Sequence, residues 1–200
     1  SYQAGPTAGS QFTTPAGPDE LTYRTEPFAS NTAIVGPILA TLYVSSTAPD
    51  TEVFVQMIDE GPAGAKTYLQ RGMLRASHRS VDPELSDWVQ AGKRRIMYRP
   101  FHPHVGPTPI IPGQVYEYAI EVFPVGHVFR PGHRLTVKIH TPPLVDSYYA
   151  YVPRRAPAVN TVLHDAEHPS RIQLPVVPLT RIKLGDELAC GEQWQVRCVK

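Results

Sequence analysis

The sequence lacks both a charge imbalance and any long run of apolar residues. Its 19 basic and 18 acidic side chains leave a formal net charge of +1, so no overall field draws the chain toward nucleic acid or an anionic membrane. Every apolar stretch falls short of the roughly 18–20 residues that a membrane-spanning helix needs. These absences favour a globular protein that binds neither nucleic acid nor membrane.

Cysteine is scarce, and both copies, Cys190 and Cys198, lie near the end of the chain. They leave open a short-loop disulfide or two reduced thiols, and we expect thiols. The chain shows no targeting signal, which favours a cytoplasmic location. Residues 1–18 are small, polar and rich in Gly and Pro, so we expect a flexible linker in a piece of a longer polypeptide.

The sequence also lacks the motifs of nucleophilic and phosphate chemistry. It has no Gly-x-Ser-x-Gly elbow for a serine nucleophile. Ser77 and His78 are adjacent, and neighbours on a strand point to opposite faces, so they do not form a nucleophile–base pair. Gly61–Gly64 carries no Lys-Ser/Thr that would cradle a phosphate. We therefore predict no catalytic residue in this chain.

Two histidine pairs raise the question of a metal site. His164 and His168 are four apart, a spacing that suits a metal only on a helix, and Pro169 favours a loop. His102 and His104 would share a face only if Pro103 sat in an edge strand. We expect loop histidines that bond to backbone, with no metal and no cofactor, although an independent metalloenzyme is the third hypothesis considered.

Proline and alternating strands are what the sequence does have. Proline makes up 22 of 200 residues, about twice its usual share of ~5%, which favours short strands joined by rigid turns. Pro131-Gly132 predicts a type II turn before a strand in which Leu135, Val137 and Ile139 share one face. Pro112-Gly113 predicts the same turn before Tyr116, Tyr118, Ile120 and Val122.

This alternation continues along the chain and predicts two stacked antiparallel sheets. One short helix is predicted over Val81–Ala91, with Asp82 as its N-cap and Pro83 at its first position. The region from Pro142 to Pro169 is predicted to be a long loop. The predicted strands are Leu21–Thr25, Ala33–Gly36, Ile38–Ser46, Thr51–Asp59, Thr67–His78, Arg95–Phe101, Gln114–Phe123, Arg134–His140 and Ile172–Val177.

Aromatic and basic clusters offer a binding hypothesis. Tyr148, Tyr149, Tyr151 and Trp194 would be the stacking residues of a carbohydrate-binding module, although aromatics in a sandwich more often fill the ends of the core. The basic runs Lys93-Arg94-Arg95 and Arg154-Arg155 are interpreted as solvated surface within a neutral chain.

Six segments in order carry a resemblance to a known family. Together they resemble the C-terminal non-catalytic domain of X-Pro dipeptidyl-peptidases and of cocaine-esterase-like (CocE/NonD) acyl hydrolases, over about Asp19 to Pro178. The segments are Leu21–Pro27, Val44–Thr51, Gly72–Ala76, Pro112–Gln114, His127–Leu135 and Asn160–Ser170.

The resemblance implies an all-β, jelly-roll β-sandwich, galactose-binding-like, at residues 19–178. It also implies that the sandwich packs on and helps shape the active site of an α/β-hydrolase domain that carries the Ser, Asp and His, which leaves the isolated chain non-enzymatic. Ser86–Pro109 is longer than the usual connection, and the tail at 179–200 has no counterpart. Homo-oligomerisation through sheet edges is left open, and a carbohydrate-binding module is the alternative function.

Overall fold

Strands make up nearly all of the regular structure. The computed structural model describes residues 2–4, 20–141 and 157–185. Two 3-10 turns, Ala76–His78 and Leu179–Arg181, complete the regular structure of these ranges. The strands are β1 Tyr2–Ala4, β2 Glu20–Arg24, β3 Thr32–Ser46, β4 Glu52–Glu60, β5 Lys66–Arg75, β6 Asp82–Ala91, β7 Arg94–Phe101, β8 Tyr116–Phe129, β9 Arg134–His140, β10 Ala158–Leu163, β11 Arg171–Gln173 and β12 Val176–Val177.

The strands form two antiparallel layers, which confirms the predicted all-β sandwich. Hydrogen-bonded neighbours run in the order β1-β10-β3-β8-β5-β4-β9-β2, with β11 and β12 also on β3. The two halves of this path meet at the single residue pair Gly72–Val122, where the path passes from one layer to the other. The jelly-roll connectivity and the galactose-binding-like subtype stay predictions.

Alternating side chains from both layers build one core. Ile38, Ala40, Leu42 and Val44 of β3 pack inward in the same cluster as Val53, Val55 and Met57 of β4. Leu135, Val137 and Ile139 of β9 share the predicted inward face. The opposite face of β9 is buried as well, since Thr136, Lys138 and His140 are each 5% exposed or less. A polar face at this depth needs internal partners, and Lys138 Nζ lies 3.0 Å from Glu20 Oε1.

Both predicted Pro-Gly turns are confirmed. The His133 N–H donates to the Arg130 carbonyl at 3.0 Å, and Gly132 has φ +84°, as the third position of a type II turn requires. Gly113 has φ +83°, and the Gln114 N–H donates to the Ile111 carbonyl at 3.1 Å. These turns set the entry points of β9 and β8.

The helix predicted over Val81–Ala91 is wrong, because this segment is strand β6 and pairs with β7. The Asp82 side chain does accept hydrogen bonds from the N–H groups of Glu84 and Leu85, which is the cap that the sequence suggested. The register then shifts before Trp88, and residues 88–91 pair with 94–97. Cross-strand pairing of the hairpin overrides the local helix signal.

The loop predicted for Pro142–Pro169 is wrong in part, because β10 lies within it. Ala158, Asn160 and Val162 of β10 point into the core, so the strand alternates as expected of a sandwich. The alternation is hidden in the sequence because one inward position is an asparagine. Its Nδ2 donates to Thr51 Oγ1 at 2.8 Å, and that partner could not be known before the fold. The start of the predicted loop, residues 142–156, lies outside the described ranges.

Smaller differences concern strand boundaries. The strands predicted at Ala33–Gly36 and Ile38–Ser46 are one strand, β3, with a register shift between Gly36 and Ile38. The strand predicted at Ile172–Val177 is divided into β11 and β12. In the described ranges, no helix has the length and apolar character to cross a bilayer.

Candidate functional site: the buried polar clusters

One polar cluster surrounds Asp50 at the turn between β3 and β4. Asp50 Oδ1 accepts the N–H of Thr51 at 3.0 Å and the N–H of Ser77 at 2.9 Å. Asp50 Oδ2 accepts the Ser77 hydroxyl at 3.0 Å and lies 3.3 Å from Arg75 Nε. Asp50 therefore closes its own turn and also holds the turn that follows β5.

The serine in this cluster is hydrogen-bonded to a carboxylate and not to an imidazole. Ser77 and His78 lie in a 3-10 turn and not on the strand that was predicted to extend to His78. The Ser77 hydroxyl faces Asp50, whereas the His78 ring packs on His104 at 5.2 Å between centroids. A nucleophilic serine is usually activated by an imidazole, or by another base such as a lysine amine, within hydrogen-bond reach of its hydroxyl. The geometry assigns Ser77 to holding the turn.

His102 is bound to backbone on both of its ring nitrogens. Nδ1 lies 3.0 Å from the Ser80 carbonyl and Nε2 lies 2.9 Å from the Ala119 carbonyl. Both ring nitrogens therefore face backbone carbonyls, in agreement with the prediction that the loop histidines bond to backbone. Burial lowers the pKa of His104, and the neighbouring His78 and His102 lower it further.

The second histidine pair lies in the loop after β10, as predicted from Pro169. Asp165 accepts the N–H groups of Glu167 and His168 and contacts His168 Nδ1 at 3.1 Å. The hydrogen bond from the His168 backbone is the main cause of a lowered pKa for Asp165. The His164 ring instead meets the edge of Tyr23, with centroids 6.2 Å apart. The two imidazoles therefore serve different partners.

A third cluster, around Asp59, was missed by sequence reasoning. Asp59 is 5% exposed, and its two carboxylate oxygens face two histidines, with His127 Nε2 at 2.8 Å and His133 Nδ1 at 2.9 Å. The cluster ties the end of β4 to β8 and β9. The available signal was the pair of histidines flanking Pro131-Gly132. Their shared partner became visible only with the β4–β9 register.

The clusters around Asp50, Asp165 and Asp59 are each held together by hydrogen bonds between their own members. Across the ranges described, no group of three or more His, Cys, Asp or Glu side chains is arranged to hold a metal ion. The candidate sugar-stacking residues lie outside those ranges, as do Arg154, Arg155, Cys190 and Cys198; the stacking candidates are Tyr148, Tyr149, Tyr151 and Trp194. The clusters brace loops at the ends of strands, and their groups engage one another.

Comparison with known proteins gives one consistent answer. Residues 1–173 match the model of the X-Pro dipeptidyl-peptidase C-terminal non-catalytic domain. The chain is 33% identical over 157 residues to a Mycobacterium bovis protein named as a candidate serine esterase, covering 78% of this chain and 24% of that protein. It is 29% identical over 169 residues to the cocaine esterase of a Rhodococcus strain, covering 80% of this chain and 26% of that enzyme.

A solved structure shares the fold. The chain superposes on a CocE/NonD family hydrolase from Staphylococcus aureus with a TM-score of 0.62 and 20% sequence identity, over 79% of this chain and 30% of that one. The chain thus spans about a quarter of the length of the curated relatives it matches.

Proposed function

Because the chain belongs to the family of X-Pro dipeptidyl-peptidase C-terminal non-catalytic domains, we propose that it packs against an α/β-hydrolase domain and helps to shape that domain's active site. In this role the sandwich contributes shape and not reactive groups. The parent protein is then a serine hydrolase that transfers an acyl group to water, of the acyl-esterase or Xaa-Pro dipeptidyl-peptidase class.

The share of each relative that the chain covers carries this proposal. The chain accounts for 24% of one relative and 26% of another, and both relatives are named as esterases. The matched part is the part that the family description calls non-catalytic. The groups that react with substrate are then expected in the remaining three-quarters of such a protein. The bonding of Ser77 to Asp50 at 3.0 Å agrees with this division.

The polar clusters support a role as a rigid wall. Asp59 holds His127 and His133 at 2.8 and 2.9 Å and so fixes the entry to β9. Next to it, the Phe28 N–H donates to the His133 carbonyl and the Gly132 N–H donates to the Phe28 carbonyl. Loops held in this way present a fixed surface, which can exclude water and position a substrate without taking part in bond making.

Reconstitution tests the proposal. The α/β-hydrolase domain that the proposal assigns to the parent protein is assayed on p-nitrophenyl esters and Xaa-Pro anilides, alone and with residues 1–200 supplied in trans. We expect kcat/KM to rise at least tenfold on addition of the chain, together with saturable association of the two parts. Full activity of the hydrolase domain by itself, with no change when residues 1–200 are added, would contradict the role.

A further inference from the structure

A groove separates the β6–β7 hairpin from the outer face of the sandwich. Its floor is Leu39 and Thr41 of β3, and its volume is about 720 Å³. The hairpin forms one wall, and residues of β8 and β11 form the other. We call this cavity the basic groove. The polar and aromatic side chains that line it are Trp88, Arg94, Arg95, Glu117, Arg171 and Gln173.

The basic groove concentrates positive charge in a protein that is close to neutral overall. Three arginines face one carboxylate, Glu117, which already accepts the Tyr43 hydroxyl at 2.6 Å. Arg94 is exposed and has no ion-pair partner in the described residues, and the Arg95 guanidinium lies over the Trp88 ring at 4.7 Å. Like charges in one groove repel, so a bound anion would stabilise it.

A neighbouring arginine shows what pairing looks like on the same strand. Arg99 of β7 lies 3.2 Å from Glu121 Oε1 and 3.6 Å from Asp87 Oδ2. At one end of the hairpin Arg99 therefore has carboxylates beside it. At the other end the hairpin supplies none to Arg94 and Arg95. Arg99 is also the natural control for the loss of a positive charge on β7.

The groove also presents an edge of a strand. In the part of the chain that the structure describes, β7 has one strand neighbour, β6. On its other side the Met97 carbonyl, which lines the groove, accepts a hydrogen bond from Gln173 Nε2 at 3.3 Å. An edge of this kind pairs with extended polypeptide, while pockets beside it select side chains.

We propose that the basic groove binds an extended acidic segment of a polypeptide. The segment lies along the edge of β7, its carboxylates meet Arg94 and Arg171, and Trp88 packs against its aliphatic side-chain carbons. Arginine suits this role because its planar fork binds a carboxylate through two parallel hydrogen bonds. The inference goes beyond the proposed function, since it concerns a ligand that the proposed function does not require.

Direct titration tests the proposal. A capped hexaglutamate peptide is added to the chain, and binding is measured by calorimetry and by the fluorescence of Trp88 in a Trp194→Phe background, where Trp88 is the one tryptophan left. We expect one saturable site whose affinity falls as NaCl rises from about 50 to about 200 mM. The double variant Arg94→Glu/Arg171→Glu should bind at least tenfold more weakly, and Arg99→Gln should bind within twofold of the parent chain.

Three results would overturn the inference. One is the absence of saturable binding at millimolar hexaglutamate. Another is an affinity that the Arg94→Glu/Arg171→Glu variant leaves unchanged, with circular dichroism showing that the variant is folded. The third is citrate or inorganic phosphate binding as tightly as the peptide, which would assign the groove to small anions. A capped hexalysine peptide serves as the negative control.

Discussion

The Ser77 hydroxyl donates to Asp50 Oδ2 at 3.0 Å, and the Ser77 backbone N–H donates to Oδ1 of the same carboxylate at 2.9 Å. Both hydrogen-bond donors of this serine are thus committed to one acid at a turn. Ser77 is 4% exposed, so the contact is shielded from water. A serine held in this way stabilises the connection between β3 and the turn after β5.

Replacing Ser77 should therefore lower stability. Ser77→Ala removes the hydroxyl and keeps the backbone contact, so we expect a loss of about 1 kcal/mol in the free energy of unfolding, the net value of a hydrogen bond. Urea unfolding followed by circular dichroism measures it. Ser80→Ala is the control, because Ser80 is exposed and its carbonyl contact to His102 survives. Equal midpoints for the two variants would show that the Asp50 contact is unimportant.

The Asp59 cluster should matter more than any surface contact. Asp59→Asn replaces one of the two acceptor oxygens with an NH2 donor, so one of the two facing imidazole N–H groups loses its acceptor in a buried setting, and we expect a loss of about 2 kcal/mol or more in the free energy of unfolding. Asp165→Asn is the matched control, since Asp165 contacts His168 at the surface, where water replaces a lost partner. A smaller effect at Asp59 than at Asp165 in thermal unfolding would refute the assignment.

The junction of the two layers depends on a glycine. A Cβ added to Gly72 would collide with the carbonyl oxygen of Glu121, at the pair through which β5 meets β8. Gly72→Ala should lower the free energy of unfolding by about 2–3 kcal/mol, because backbone must move to make room. Gly126→Ala, on β8, would place its methyl group in open space with nothing within 4 Å, and should change that free energy by less than about 0.5 kcal/mol. Equal effects would contradict the close approach.

Acid should destabilise the fold through His140. Burial is the main cause that lowers the pKa of His140 to about 4, so the unfolded chain takes up a proton at a higher pH than the folded chain does. The stabilisation is complete above the unfolded pKa of ~6.5 and is lost as pH falls toward 4, by up to about 3 kcal/mol.

The His140→Asn variant isolates this contribution. Asparagine keeps an N–H donor for the Thr141 carbonyl, which His140 Nδ1 contacts at 2.6 Å. Between about pH 6.5 and pH 4 the variant should lose less stability than the parent chain, by up to one proton in the slope of unfolding free energy against pH. Identical slopes for the two proteins would rule out His140 as the titrating group.

Much of the fold was predictable because local signals and tertiary structure agree in its central strands. The alternation in Ile38–Ser46 and Arg134–His140 marks inward faces that the core confirms. The Pro-Gly turns fix φ locally, so they need no knowledge of the rest of the chain. The family resemblance, carried by six short segments, was confirmed by the match over residues 1–173.

The remaining features depend on contacts between residues distant in sequence. Asp82 has the side chain of a helix cap, yet pairing with β7 makes its segment a strand. Asn160 looks like a loop residue until Thr51, 109 positions away, supplies its partner. Asp59 and its two histidines meet only through strand register, so the cluster could not be inferred from spacing. The basic run at Lys93–Arg95 is exposed as predicted. The groove beside it could not be predicted, because it forms only when the β6–β7 hairpin lies next to the sandwich.

The central claim is that this domain carries no reactive groups of its own. An assay of the purified chain on p-nitrophenyl esters and Xaa-Pro dipeptide anilides tests this claim most directly. Residues 1–200 and the variants Ser77→Ala and His78→Ala should all give rates equal to the buffer blank, and a fluorophosphonate probe should label none of them. Turnover by the chain that disappears in either variant, or probe attached to Ser77, would contradict the account.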